Sequence, residues 1–321
     1  MSMQAFHGNP ELKARLVDPL RPRWAGNELI PASILRWDTE NNLYSLCGGL
    51  ISGQDRDQFE QQTGIPIEMA MLCEALIISN IEVVGDPAHP KRGFTMDGSK
   101  EIMSFGMEWL DAVRPGADLS GVVPGFMVQL FSTMLSDDFA LAKHIDPNVR
   151  IAASRVLDLW SRELAGEAVP PSDWKAVRKA AVDASEACSD PSCLPLAGTV
   201  ETLAWPLQSV APEFVATYLS FAMTWLGHLQ RPFHSEEDRA TQAHELAGWM
   251  RIAEAGRNSE LDEAATMALL DEIPEQKKAM FAKLEPAYQE RMRAGKRQAR
   301  VATDPVVRHQ MDLMWALIKA A

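Results

Sequence analysis

The residues of this chain best suited to nucleophilic, acid–base or metal chemistry are its seven histidines and four cysteines. His228, His234 and His244 form the densest histidine group, spaced by six and ten residues. Metal ligands on a helix stand three or four apart, so one helix cannot present all three. A turn at Arg231-Pro232-Phe233 would bring the first two together, with Glu236 or Glu237 completing a transition-metal site. The simpler reading, one capping and two surface or interface histidines, is the one expected. Cys188 and Cys193 frame Ser189-Asp190-Pro191-Ser192. Redox and metal pairs usually enclose two residues, and a structural zinc would need a second pair. His244-Glu245 has no second histidine three residues on, so it is not a zinc-hydrolase helix. No metal and no cofactor are expected.

A catalytic set is not read either. Gly49-Leu50-Ile51-Ser52-Gly53 has the wrong spacing for a nucleophile elbow. Gly48-Gly49 and Gly53 lack the glycine order and the preceding strand of a phosphate loop. Three residues stay as weak candidates for ligand binding. His7 lies just before a helix start, where free backbone N–H groups attract anions. Its simpler role is to hydrogen-bond the turn. Cys47 sits in Cys47-Gly48-Gly49, inside a loop read over 38–55. His89 sits with Lys91 and Arg92 in a segment, 85–99, rich in proline and glycine and long for a connection. Cys73 reads as a small buried apolar residue.

The formal net charge is −13, which repels a phosphate backbone unless positive charge is clustered. Residues 236–275 hold eleven acids and three bases, and residues 277–300 hold eight bases and two acids. The basic stretch is expected to pair with the acidic one or with an acidic protein surface. Lys277, Lys278, Arg291, Arg293, Lys296 and Arg297 are its candidate partner-binding residues. The expected partner is another protein or a second copy of this chain; general nucleic-acid binding is not expected. Uncharged runs at 119–136 and 214–230 approach the length of a membrane span, roughly 20 residues. Their prolines, glycines and hydroxyls read instead as buried helices, and no membrane association is expected. The first ten residues show no basic and apolar leader pattern, so a cytoplasmic, reducing setting is expected.

Helical punctuation positions these residues. Asn9-Pro10-Glu11, Asp146-Pro147 and Asp304-Pro305 read as helix starts, as do Ser172-Asp173 and Ser235-Glu236-Glu237-Asp238. Gly166 and Gly256 read as stops. Ile65, Met69, Leu72 and Leu76 make one apolar stripe, as do Val149, Ala152, Val156, Leu159 and Trp160, and Val307, Met311, Met314, Trp315 and Ile318. The only β-branched cluster, Ile77 to Val84, reads as a helix end followed by a short extended segment outside any sheet. The expectation is an all-α, multi-helix protein of roughly ten to thirteen helices, with little or no strand. It is read as two helical lobes, 1–165 and 172–321, joined at Gly166-Glu167-Ala168-Val169-Pro170-Pro171-Ser172. Trp160, Trp174, Trp205, Trp225, Trp249 and Trp315 lie on helical stripes as core anchors, or line a groove for a partner helix.

Phe6-His7-Gly8-Asn9-Pro10-Glu11-Leu12-Lys13, then Gly64-Ile65-Pro66 entering a helix through Leu72 and Glu74, then Gly116-Ala117-Asp118-Leu119 follow one another in order. In that order and spacing they resemble a family of uncharacterised helical proteins from bacteria and their phages. The resemblance covers roughly residues 5–135. It implies a helical protein found beside mobile elements and supplies no activity. The family's middle segment carries paired Gly-Cys motifs followed by histidine, and here only Cys47-Gly48-Gly49 is present. The functional expectation is a non-enzymatic, protein-interaction protein. The alternative is an enzyme or a small-molecule or metal-binding protein with a site between the lobes.

Overall fold

The computed structural model describes residues 4–32, 35–86, 88, 91–190, 193–242 and 286–321. His89, Lys277 and Lys278 lie outside the described residues, as do His244, Trp249 and Gly256. The fold is predominantly α-helical, with twelve helices bounded within the described residues and two small two-stranded sheets. The chain forms two units, Met1–His228 with Asp304–Ala321, and Leu229–Thr303.

In the first unit, α1 (Pro10–Val17) starts where expected. The Asn9 side chain accepts the N–H groups of Glu11 and Leu12, and Pro10 occupies the first turn, where its missing N–H costs nothing. Next come α2 (Leu20–Ala25), α3 (Leu46–Ile51), α4 (Arg56–Thr63) and α5 (Ile67–Ile78). The stripe expected around Met69 and Leu72 is only part of the truth about α5. Ile67 and every residue from Met69 to Ile77 are buried, so this helix is surrounded on all sides. A helix that is apolar all round belongs in the centre of a core, and α3, α4, α6 and α7 pack against it. α6 (Lys100–Ala112) is amphipathic, burying Ile102, Phe105, Trp109 and Leu110. Gly106 lies beneath the Trp24 indole, which occupies the space a β-carbon would need, and Trp24 Nε1–H donates to the Met103 carbonyl.

α7 (Val122–Leu135), α8 (Pro147–Leu164), α9 (Pro171–Ala187), α10 (Leu194–Thr202) and α11 (Leu207–Gln230) follow. Asp146 caps α8, and Val149, Ala152, Val156, Leu159 and Trp160 are its buried stripe. Gly166, at φ +78°, stops it: Gly166 N–H donates to Glu163 O and Glu167 N–H to Arg162 O. α8 and α9 form an antiparallel pair. Trp160 meets Trp174 edge-on at 5.4 Å near the turn, and Asn148 and Ile151 share a groove with Asp183 and Ala184 at the far end. The Gly166–Ser172 stretch is the turn of this pair, inside the first unit. α9 begins at Pro171, so Pro170 precedes it and Ser172-Asp173 lies inside its first turn.

Three further expectations change. The extended segment after α5 does join a sheet: β3 (Glu82–Gly85) pairs antiparallel with β4 (Phe94–Asp97), so the 85–99 stretch is partly strand. Arg92 anchors this hairpin by donating to the carbonyls of Phe94, Glu28 and Asn27. A second pair, β1 (Trp37–Asp38) with β2 (Leu43–Tyr44), overlaps the start of the 38–55 region, which also holds α3. Asp304-Pro305 does not start a helix. The C-terminal helix runs unbroken from Pro286 to Ala320 with Pro305 inside it. Asp304 instead accepts from Asn80 Nδ2 at 2.7 Å. Trp205 and Trp315 are partly exposed, whereas Trp160, Trp174 and Trp225 are buried.

Candidate functional site

The backbone at Phe6 and His7 is left-handed, with φ values of 49° and 51°, and Gly8 follows at +71°. Such a conformation costs a non-glycine residue about 1–2 kcal/mol and persists where surrounding contacts impose it. Here Ala5 N–H donates to Ala117 O, Gly116 N–H donates to Ala5 O, and Phe6 is fully buried. Gly64 presses its α-carbon against the Gln4 carbonyl, leaving no room for a side chain. The segments around His7, Gly64 and Gly116 therefore meet in one seam. His7 stays exposed, with Nε2–H donating to the Gln61 carbonyl at 2.9 Å.

Cys47 is buried and faces a different group, Glu74 of α5. The Glu74 carboxylate accepts the Cys47 N–H through Oε1 at 2.5 Å and the Ala32 N–H through Oε2 at 2.7 Å. The Cys47 thiol also donates to it. Ser45 Oγ takes the Gly48 N–H, so a hydroxyl and a carboxylate together satisfy the first turn of α3. Glu74 is only 1% exposed. Burial raises its carboxyl to about 7 in spite of these hydrogen bonds. Burial first, and the neighbouring Glu74 second, push the Cys47 and Cys73 thiols up, so both stay protonated at neutral pH. The arrangement pins α3 and the loop segment at Ala32 to α5. Sequence reading passed over Glu74, although a carboxylate amid Met69 to Ile78 was a visible signal.

Cys188 and Cys193 approach one another at the junction of α9 and α10. Cys188 caps α9, Cys193 precedes α10, and their thiols are in hydrogen-bonding contact. His144 lies beside them, its Nδ1 3.9 Å from Asp190 and its ring edge-on to His228 at 5.6 Å. Among the described residues, no group of three or more His, Cys, Asp or Glu is placed to hold a metal ion.

In the second unit, Arg291 grips Asp238 through Nε at 3.1 Å and Nη2 at 2.8 Å, while Ser235 Oγ–H donates to the same carboxylate. The Arg291 guanidinium and the Ser235 hydroxyl hold Asp238 below the usual carboxylate range. Arg297 pairs with Glu290 on its own helix. Arg293 and Lys296 are exposed. His234 packs over Gly295, and its burial and the nearby Lys296 lower its basicity.

The α8–α9 pair carries a groove of about 450 Å³ lined by Ile151, Ala152, Arg155, Ala180, Asp183 and Ala184. Three of its lining residues are alanines, Ala152, Ala180 and Ala184. Ile151, also in the lining, is 54% exposed. Arg155 and Asp183 put opposite charges on the groove's walls.

Fold and surface together define a predominantly α-helical protein. No helix among its described residues is long and apolar enough to cross a membrane. Comparison with protein-family models, with curated proteins and with solved structures gives no match.

Proposed function

We propose that this chain is a non-enzymatic interaction protein and that the α8–α9 groove receives an amphipathic helix of another protein. The groove carries this reading. Alanines in the lining let a partner helix approach closely, and an exposed isoleucine beside opposite charges supplies an apolar anchor with orientation. The competing reading, a ligand or metal site using His7, Cys47 and His89, has less support: His7 is engaged by Gln61 and Cys47 by Glu74. The resemblance over residues 5–135 supports a setting beside phage or other mobile elements. Four cysteines standing as thiols support a reducing, cytoplasmic one.

The test places a photo-crosslinking amino acid at position 151 in the full chain, expressed in its own host, with the same residue at Val83, also exposed, as control. The expected result is one heterologous protein captured from position 151 and not from position 83, and lost when Ala184→Arg is added. Identical products from both positions, or no product at 151, would overturn the proposal. A crosslinked dimer of this chain would replace the heterologous partner with a second copy.

A further inference from the structure

We infer that Cys188 and Cys193 form a reversible disulfide, making the α9–α10 junction a site of oxidative modification. The backbone brings the two together. Cys193 N–H and Leu194 N–H both donate to Asp190 O, folding the connection back on itself, and Cys188 N–H is tied to Ser185 O at the end of α9. The two thiols then meet, and the Asp146 N–H donates to Cys193 Sγ at 3.3 Å. Cys188 lines a cleft of about 230 Å³ together with Lys143, His144, Asp146 and Asp190, whereas Cys193 is completely buried. Cys47 and Cys73 are 1% and 0% exposed. They are buried beside Glu74, whose charge opposes thiolate formation.

This asymmetry sets the order of events. A hydroperoxide entering the cleft meets Cys188 first. The Cys188 thiolate attacks the terminal peroxide oxygen, the O–O bond breaks, and the leaving oxygen departs as water or alcohol after taking a proton. Cys188 is then a sulfenic acid. Burial keeps the Cys193 thiol protonated, raised to about 11, until its partner is oxidised. Cys193 sulfur then attacks the Cys188 sulfur. Its proton leaves with the sulfenic hydroxyl as water, and the S–S bond forms. Two thiols supply two electrons, the hydroperoxide is reduced, and a dithiol reductant reverses the change by thiol–disulfide exchange.

The experiment treats the full-length protein with hydrogen peroxide, blocks the remaining thiols by alkylation and maps peptides by mass spectrometry. The expected product is a Cys188–Cys193 linked peptide, with the thiol count under denaturing conditions falling from four to two and returning with dithiothreitol. Cys188 should lose its thiol about tenfold faster than Cys47 or Cys73. In Cys193→Ser, dimedone should trap a sulfenic acid at Cys188, and in Cys188→Ser no linked peptide should form. Retention of four thiols, a disulfide involving Cys47 or Cys73, or faster oxidation of those two would overturn the inference. The wild-type peptide map decides the matter even if a serine variant fails to fold.

Discussion

Glu74 shows how one buried carboxylate makes stability depend on pH. Its folded-state pKa of about 7 lies above the value near 4.5 expected of an exposed glutamate. Its contribution is therefore fully present below pH 4.5 and lost as pH rises through 7, because the folded state holds the proton that the unfolded state has released. Between pH 5.5 and 8.5 the loss should be about 2 kcal/mol. Urea unfolding at the two pH values checks this, and Glu74→Gln should remove that part of the slope. Gly106 offers a second test at this scale. A methyl there has to displace the Trp24 indole, so Gly106→Ala should destabilise the protein by about 1–3 kcal/mol despite alanine's better helix propensity. Neither role is legible in the sequence, because each depends on a residue far along the chain: Cys47 for Glu74 and Trp24 for Gly106. What the sequence did show was the anomaly, a carboxylate inside an apolar run.

Elements were more legible than residues, because helix ends are local chemistry. Asn9, Asp146 and Gly166 act where their types and neighbours place them, and Asn9→Ala should cost about 1 kcal/mol in denaturant unfolding. Asp304-Pro305 has the same local signature as Asp146-Pro147, yet it lies within a continuous helix. The difference is tertiary. Asp304 is engaged by Asn80, and the packed residues Thr303, Val307, Gln310 and Met311 keep one helical face buried across the proline. Proline inside a helix is unfavourable relative to alanine by up to about 3 kcal/mol. Pro305→Ala should therefore raise stability, and a lower midpoint in urea would contradict this account. The β3–β4 hairpin was hidden for a related reason. Four paired residues per strand are too few to show alternation, and Arg92 fastens them to the Asn27 and Glu28 carbonyls just after α2, which no local pattern reveals.

At the scale of the molecule, the helical class was legible from caps and stripes together, whereas long-range pairing was not. The charge contrast between 236–275 and 277–300 was visible, but only geometry selects Arg291 and Asp238 as partners. Arg291→Asp should lower the thermal midpoint, and adding Asp238→Arg should recover part of the loss. A swap that recovers nothing would show that the pair contributes no mutual attraction. The make-up of the first unit has a consequence for biosynthesis. Leu317 packs on Gly125, Arg308 bridges to Glu108, and Asp304 binds Asn80, so the unit that begins at the N-terminal seam is completed by residues 304–321. On a ribosome adding about 5–20 residues per second, roughly 11–45 s separate emergence of Asn80 from emergence of Asp304. Throughout that interval the apolar surface that residues 304–321 cover in the finished fold stands open.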